Sequence, residues 1–394
     1  KSKEFDIPMS MDTQFMVGSN SKLFTAVAIY QLQEKGQLNV SDNVAAYFSA
    51  EDFKAFGIPD VTKFCPTLPG SKTCQVITFE QLMSMSSGMI DGFNCAYEPM
   101  SWELLYCQTW YDKLIYQGSI GAVVGSFISK PLSTVPGSAY HYTNENFILL
   151  SYLVEKLSGV SFSEYLRVNV FEVVGLQNTY YDQWDRQFNL KPMFGNEYID
   201  YSKIMTDENG QVTVPTPFAS GVCTVELNSG YCSGTGGLVS NAQDMSVWYD
   251  ALFVERNPSL LSEQSIDAIM KPWMSTGGGA DKNGLYMYYA QGVAVGVSSE
   301  EQFPPTMVVY QGGTYCAHTS IVLNLNAKPD PVLSIAFMNS VVVDVSQQEW
   351  QEAQKSVVGT AQSIIAKNGW EMYSDTLQIG VALANYFTYP QDKN

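Results

Sequence analysis

Residues 17–26 read Val-Gly-Ser-Asn-Ser-Lys-Leu-Phe-Thr-Ala, and the reading of the whole chain turns on the Ser19-x-x-Lys22 spacing inside them. Downstream, Leu23, Val27 and Tyr30 recur at helical intervals with Phe24 and Ala28 beside them. Gly36 stands where a left-handed C-terminal cap belongs, so the pattern predicts a helix over 19–35. At the start of a helix, residues three apart lie on one face, which brings the Lys22 amine within reach of the Ser19 hydroxyl. The helix N-terminus adds positive potential that favours an alkoxide and helps Lys22 accept a proton. Alone, the motif is weak: it arises by chance in most chains of this length, and an ordinary N-cap serine explains Ser19 equally well.

Working outward, Tyr142-Thr143-Asn144 precedes a helical pattern predicted over Asn144 to Leu157 and ended near Ser158-Gly159. A tyrosine there can share the proton shuttle, and an Asn amide can orient both Lys22 and a substrate carbonyl. By itself, a buried aromatic with a satisfied hydroxyl accounts for Tyr142. Thr78-x-x-Gln81 opens another helix with a capping-box pattern, and Ser240-x-x-Gln243 opens one running through Trp248 to Phe253. From about residue 285, short β-branched and aromatic runs alternate with turn residues: LYMYYAQGVAVGV, PTMVVYQGG, TSIVLNLNA and PVLSIAFMNS, as in an antiparallel meander. Residues 346–368 return to helical period. A sheet flanked by helices, with a helical middle, is an α+β architecture.

Composition narrows the function. The 394 residues carry 21 basic and 39 acidic side chains, a net charge of −18. Only 15% are charged, against an average of roughly 25%, so the acidity comes from a shortage of Lys and Arg. Too few cations remain for a nucleic-acid interface, which must neutralise phosphates. Aromatics at 13% argue against a disordered chain. The best apolar run, Phe147 to Val154, is eight residues, well short of the roughly 20 that span a bilayer. With no Gly-x-Ser-x-Gly elbow and two histidines in all, a conventional hydrolase triad has little to stand on. With no Cys-x-x-Cys either, neither metal nor cofactor is expected. The spacings Cys65/Cys74, Cys95/Cys107 and Cys223/Cys232 bracket polar, turn-rich stretches and suggest three local disulfides; reduced thiols in the cytosol are the alternative. The sequon at Asn39-Val40-Ser41 agrees with glycosylation and secretion, and the absence of a signal peptide with a processed form.

In order along the chain, residues 12–48, 77–89 (ITFEQLMSMSSGM), 136–147 (PGSAYHYTNENF), 171–182 (FEVVGLQNTYYD) and 233–253 (SGTGGLVSNAQDMSVWYDALF) resemble the serine β-lactamase and penicillin-binding-protein superfamily. The resemblance is strongest to its branch of class C β-lactamases, D,D-peptidases and family VIII esterases. It implies an α+β fold with a sheet domain over 1–76 and 225–394 and a mainly helical domain over 77–224. It also implies Ser19 as acylated nucleophile, Lys22 and Tyr142 as its acid/base pair, and Asn144 as orienter. The family's third motif, Lys-Thr-Gly or His-x-Gly on a strand, matches Tyr310-Gln311-Gly312-Gly313, which places Tyr310 and Gly312 beside the substrate. The backbone N–H groups of Ser19 and Gly313 would then form the oxyanion hole. Without the resemblance, the Gly-Gly pair is merely a tight turn. His141 and His318 read as structural or surface residues.

Two departures from the pattern matter. Tyr310 replaces the cationic or imidazole residue that helps hold a substrate carboxylate, a charge-assisted bond worth roughly 1.5–3 kcal/mol. With the acidic chain around it, that substitution disfavours β-lactams and D-Ala-D-Ala and points towards a small ester or acyl substrate, with hydrolysis or acyl transfer. A D,D-peptidase, D-amino-acid amidase or β-lactamase, and an inactive binding relative, are the alternatives. Further, 18 residues precede Ser19, where family members carry two strands. The expectation is that a separate N-terminal segment, or the stretch from Trp370 to Asn394, completes the sheet, with Cys316 as a possible bridge to such a segment. The expected location is secreted or extracytoplasmic.

Overall fold

The computed structural model describes residues 10–90, 120–181, 197–199, 222–223, 233–277, 280, 284–299, 303–313, 318–338 and 340–341. The first strand, β1 (Phe15–Met16), leads through a 3-10 turn at Gly18–Asn20 into helix α1 (Ser21–Glu34). The helices that follow are α2 (Ala50–Ala55), α3 (Phe79–Met83), α4 (Ile120–Phe127), α5 (Asn144–Ser158), α6 (Phe162–Leu166) and α7 (Glu172–Val174). Then come β2 (Tyr180–Tyr181), β3 (Glu197–Ile199), β4 (Val222–Cys223), β5 (Leu238–Ser240), α8 (Ala242–Tyr249) and α9 (Glu263–Met270). The meander follows with β6 (Met274–Ser275), β7 (Tyr286–Tyr289), β8 (Ala294–Val297), β9 (Met307–Gly313), β10 (His318–Asn324) and β11 (Val332–Met338), and β12 (Ser340–Val341) is the last described strand.

Strands β6 to β11 form one antiparallel sheet in sequential order, as the turn-separated runs from residue 285 anticipate. Period-two alternation sorts β9 onto two faces. Val308 and Tyr310 enter the main core, whereas Met307 and Val309 join Val322 in a small cluster on the other side. In register, Tyr310 pairs with Ile321, Gly312 with Thr319 and Gly313 with His318. Two small sheets, β1-β5-β2 and β12-β3-β4, complete the described strands.

Helix α1 is more deeply placed than its stripe of apolar residues suggests, because Thr25, Gln31 and Lys22 are buried along with Leu23, Phe24 and Val27. Phe24 stacks on Trp248 of α8 with ring centroids 4.1 Å apart, and Phe171 meets its edge. The expected caps hold in three places. Gly36 and Gly159 are left-handed after α1 and α5, and Thr78 and Gln81 exchange the two bonds of a capping box before α3. The cap of α8 differs by one residue: Asn241, not Ser240, accepts from the Asp244 N–H, while Ser240 Oγ bonds Thr179 Oγ1 across β5. Cys65 and Cys74 are disulfide-bonded. Cys95, Cys107, Cys232, Cys316, the side chain of Cys223, the helix expected over 346–368 and the stretch from Trp370 lie outside the described residues.

One buried charge ties α2 to α5. Burial alone would raise the Asp52 carboxyl, but bonds from Lys156, from Tyr152 (2.6 Å) and from the Ser49 backbone and hydroxyl outweigh it and bring it down from 3.8 to about 2. Its stabilisation is therefore complete above pH 3.8 and lost as pH falls through about 2. Asp52→Asn is expected to destabilise by roughly 2 kcal/mol at neutral pH, a difference that shrinks towards zero in acid. Urea melts across pH check it; a gap independent of pH contradicts the account.

Candidate active site

The site begins with a close approach of two backbones. Gly18 has φ +54°, a conformation that favours glycine. A Cβ there would sit 2.8 Å from the Gly313 nitrogen and 2.7 Å from its oxygen. On the facing strand a Cβ at Gly312 would lie 1.9 Å from the Val17 carbonyl and 2.5 Å from Thr319 Oγ1. Two glycines thus let the Val17–Gly18–Ser19 turn rest directly on the end of β9. Buried polar groups hold it there. Asn20 Nδ2 donates to Thr319 Oγ1 (2.6 Å), Thr319 Oγ1 to the Val17 carbonyl (3.0 Å) and Ser21 Oγ to the Gly18 carbonyl (2.8 Å). Val17 N–H also reaches the Leu238 carbonyl of β5 at 2.8 Å.

Ser19 emerges from this turn half-buried, with its hydroxyl between two proton carriers: Lys22 Nζ at 3.0 Å and Tyr142 OH at 2.7 Å. It is not the cap of α1, whose cap position is Asn20. Lys22 is completely buried, and its nitrogen donates to Asn144 Oδ1 and to the Thr235 carbonyl, both at 2.9 Å. Those two oxygens only accept, so they fix two of the nitrogen's directions and leave the third aimed at Ser19 Oγ. In its neutral form Lys22 therefore turns its lone pair to Ser19; in its charged form it turns an N–H there. Thr235 Oγ1 donates to Asn144 Oδ1 at 2.7 Å, which sets the amide's orientation. The Lys22 nitrogen also lies 5.0 Å from the centre of the Tyr142 ring.

Behind Tyr142 stands a group of phenols. Tyr310 is hydrogen-bonded, at 2.5 Å, to Tyr289 of β7. Burial pushes both Tyr289 and Tyr310 well above the ordinary phenol value, and a negative charge on Tyr142 pushes them further. Tyr289 also meets the Tyr142 ring edge-on, 6.2 Å between centroids. The Tyr310 hydroxyl, expected beside the substrate, is thus engaged by the Tyr289 phenol. His141 is exposed.

Ser19, Lys22, Tyr142 and Asn144 therefore converge from two separate segments, as their sequence pattern implies, and Gly312 and Gly313 lie against the Ser19 turn. Sequence reading missed Thr235, Thr319, Asn20 and Tyr289. Thr235 sits in the Ser-Gly-Thr-Gly-Gly run at 233–237, a glycine density that signals close backbone packing, but the other three carry no such mark.

Comparison with known proteins identifies the family. The chain belongs to the β-lactamase family: the family model, described as Beta-lactamase, matches residues 1–354. A putative penicillin-binding protein, PbpX, of Bacillus subtilis (strain 168) is 25% identical over 284 residues, covering 71% of this chain and 54% of its own. The chain spans about half the length of the curated relatives it matches. Among solved structures, a penicillin-binding protein from Bacillus halodurans aligns with a TM-score of 0.59 at 21% identity, covering 91% of this chain and 90% of that one. EstCE1, a hydrolase with promiscuous acyltransferase activity, aligns with a TM-score of 0.59 at 19% identity, covering 86% and 82%. These two likenesses define the fold, that of the serine β-lactamases and penicillin-binding proteins.

Because Gly312 touches the Val17 carbonyl at a distance no Cβ tolerates, Gly312→Ala is expected to displace the Ser19 turn. The cost should be roughly 1–3 kcal/mol in stability, with loss of most Ser19 reactivity. Thermal melting and the rate of labelling by a fluorophosphonate check it; a variant with parental reactivity contradicts the close approach.

Proposed function

We propose that the protein is a serine hydrolase that acts through an acyl-enzyme on Ser19, as an esterase or acyltransferase on small ester or acyl substrates. The observation that carries this reading is the Ser19 hydroxyl held at hydrogen-bond distance from both Lys22 Nζ and Tyr142 OH. Ser19 Oγ attacks the acyl carbon while its proton passes to Tyr142 or Lys22. The carbonyl electron pair moves onto oxygen, and the backbone N–H groups of Ser19 and Gly313 are assigned to receive it. Collapse breaks the bond to the leaving alkoxide, which takes the proton back, and water or an acceptor alcohol then releases the acyl group by the same route. Asn144 orients Lys22 through its Oδ1 and is assigned the substrate carbonyl through its Nδ2. This chemistry needs no metal and no cofactor.

The ester preference rests on Tyr310. A neutral phenol, 5% exposed and bonded to the Tyr289 hydroxyl, offers no charge to a substrate carboxylate. A chain of net charge −18 adds no general attraction for anions. An oxidising, secreted or extracytoplasmic location is part of the proposal, supported by the Cys65–Cys74 bond. Asn39 is exposed, with its Oδ1 accepting from Ser41 Oγ at 2.8 Å, and is the proposed glycosylation position.

Ser19→Ala is expected to abolish hydrolysis of p-nitrophenyl esters while the melting temperature stays near that of the parent. Undiminished turnover in that variant contradicts the assignment. The parent should also turn over esters far faster than a D-Ala-D-Ala peptide or a D-amino-acid amide; the reverse ranking makes it a peptidase or amidase.

A further inference from the structure

The segment 234–238 is laced to the first two turns of α1. Thr25 Oγ1 donates to the Gly234 carbonyl at 2.7 Å, Lys22 Nζ to the Thr235 carbonyl at 2.9 Å, and Leu238 N–H to Ser21 Oγ at 3.1 Å. Thr25 stands one turn beyond Lys22 on the same helix face, so adjacent side chains of one helix hold adjacent carbonyls of one loop. Thr25 is completely buried, and its hydroxyl has a single proton to give. The Ser21 carbonyl of its own helix lies at 3.4 Å, so the short bond, and the proton, go outward to Gly234.

Gly234 is held from its other sides as well. Its N–H donates to the Tyr181 hydroxyl of β2 at 2.9 Å. It has φ +74°, and a Cβ there would sit 2.3 Å from the Phe147 carbonyl and 2.7 Å from Ser151 Cβ, both on α5. The loop is therefore wedged between α1 and α5. The residue it presents next is Thr235, whose carbonyl takes a Lys22 N–H and whose hydroxyl donates to Asn144. A Gly-Thr-Gly-Gly backbone has many conformations open to it, so the direction of the Thr235 carbonyl has to be imposed by its neighbours. That direction decides where the rest of the Lys22 amine points, and Ser19 Oγ lies there at 3.0 Å.

We propose that Thr25 is a positioning residue for the reaction: its hydroxyl fixes the Gly234 carbonyl, and through it the Thr235 carbonyl that aims the Lys22 amine at Ser19. A valine would fill the same space in so deeply buried a helix. What the hydroxyl adds is a fixed direction for one peptide of the loop, passed on to the next. Tyr181 grips the same glycine by its N–H and serves the same end from β2.

The inference rests on Ser19 being the acylated residue, and the test separates the two claims. The burst of acylation by p-nitrophenyl acetate is timed in the parent, Thr25→Val, Thr25→Ser, Tyr181→Phe and Tyr30→Phe, and each is melted in urea. Thr25→Val keeps the side chain's shape. It should lower the limiting burst rate by about tenfold to a hundredfold, while the ester concentration giving half that rate stays within about twofold. Thr25→Ser restores the donor and should hold the rate within about threefold of the parent. Tyr181→Phe releases the other side of the same peptide and should slow the burst in the same way; it is the report if Thr25→Val fails to fold. Tyr30→Phe removes a buried bond elsewhere on α1, from the Tyr30 hydroxyl to Gln291 Oε1 at 2.8 Å, and should lose stability with the burst rate unchanged. A parental rate in both Thr25→Val and Tyr181→Phe overturns this inference and leaves the assignment of Ser19 intact. So does a Thr25→Ser as slow as Thr25→Val, or an equal slowing in Tyr30→Phe, where rate merely follows stability. A parent that is never acylated at Ser19 overturns both.

Discussion

Everything in the site depends on accommodating the amine of Lys22 where no water reaches it. A lone ammonium in such a place is costly, and an amine left with unmade hydrogen bonds is little better. The fold meets this by bringing two pure acceptors, Asn144 Oδ1 from the start of α5 and the Thr235 carbonyl from the glycine-rich run before β5, to 2.9 Å from the nitrogen. Satisfying the amine in this way leaves one direction open, and Ser19 occupies it at 3.0 Å. Stability and positioning therefore use the same three contacts, and any change that loosens α5 or the 233–237 run misdirects Lys22 as well.

The second constraint is steric. A nucleophile on a helix that is buried nearly all round reaches a substrate only if the turn before it opens at the edge of the sheet. Here the turn lies so close to β9 that neither Gly18 nor Gly312 has room for a methyl group. The contact fixes the Ser19 hydroxyl relative to the meander, and with it the relation between Lys22 on α1 and the tyrosines on β7 and β9. The buried Asn20–Thr319 bond serves the same end from β10.

Much of this was legible in the sequence because it depends on local spacing. The Ser19-x-x-Lys22 step, the capping box at Thr78 and Gln81, the left-handed Gly36 and Gly159, and the alternation in Met307–Gly313 each follow from helix or strand geometry, and each has its expected place in the fold. What spacing misses is partnership across the sheet. Nothing in LYMYY says which of its tyrosines faces Tyr310, since that depends on the register between β7, β8 and β9. Thr319 and Asn20 look like ordinary strand and turn residues until the two backbones meet. The cap at α8 was misplaced by one residue because Ser240 and Asn241 are equally good caps, and the bond from Ser240 to Thr179 settles the choice.

The central claim is a covalent acyl-enzyme on Ser19. Rapid mixing with p-nitrophenyl acetate, acid quenching within the first turnover and mass analysis of the digested protein tests it directly. The account predicts one acetyl group per chain on the peptide carrying Ser19, appearing together with one equivalent of p-nitrophenol. Release of p-nitrophenol with Ser19 unmodified, or with the acetyl group on another residue, contradicts it.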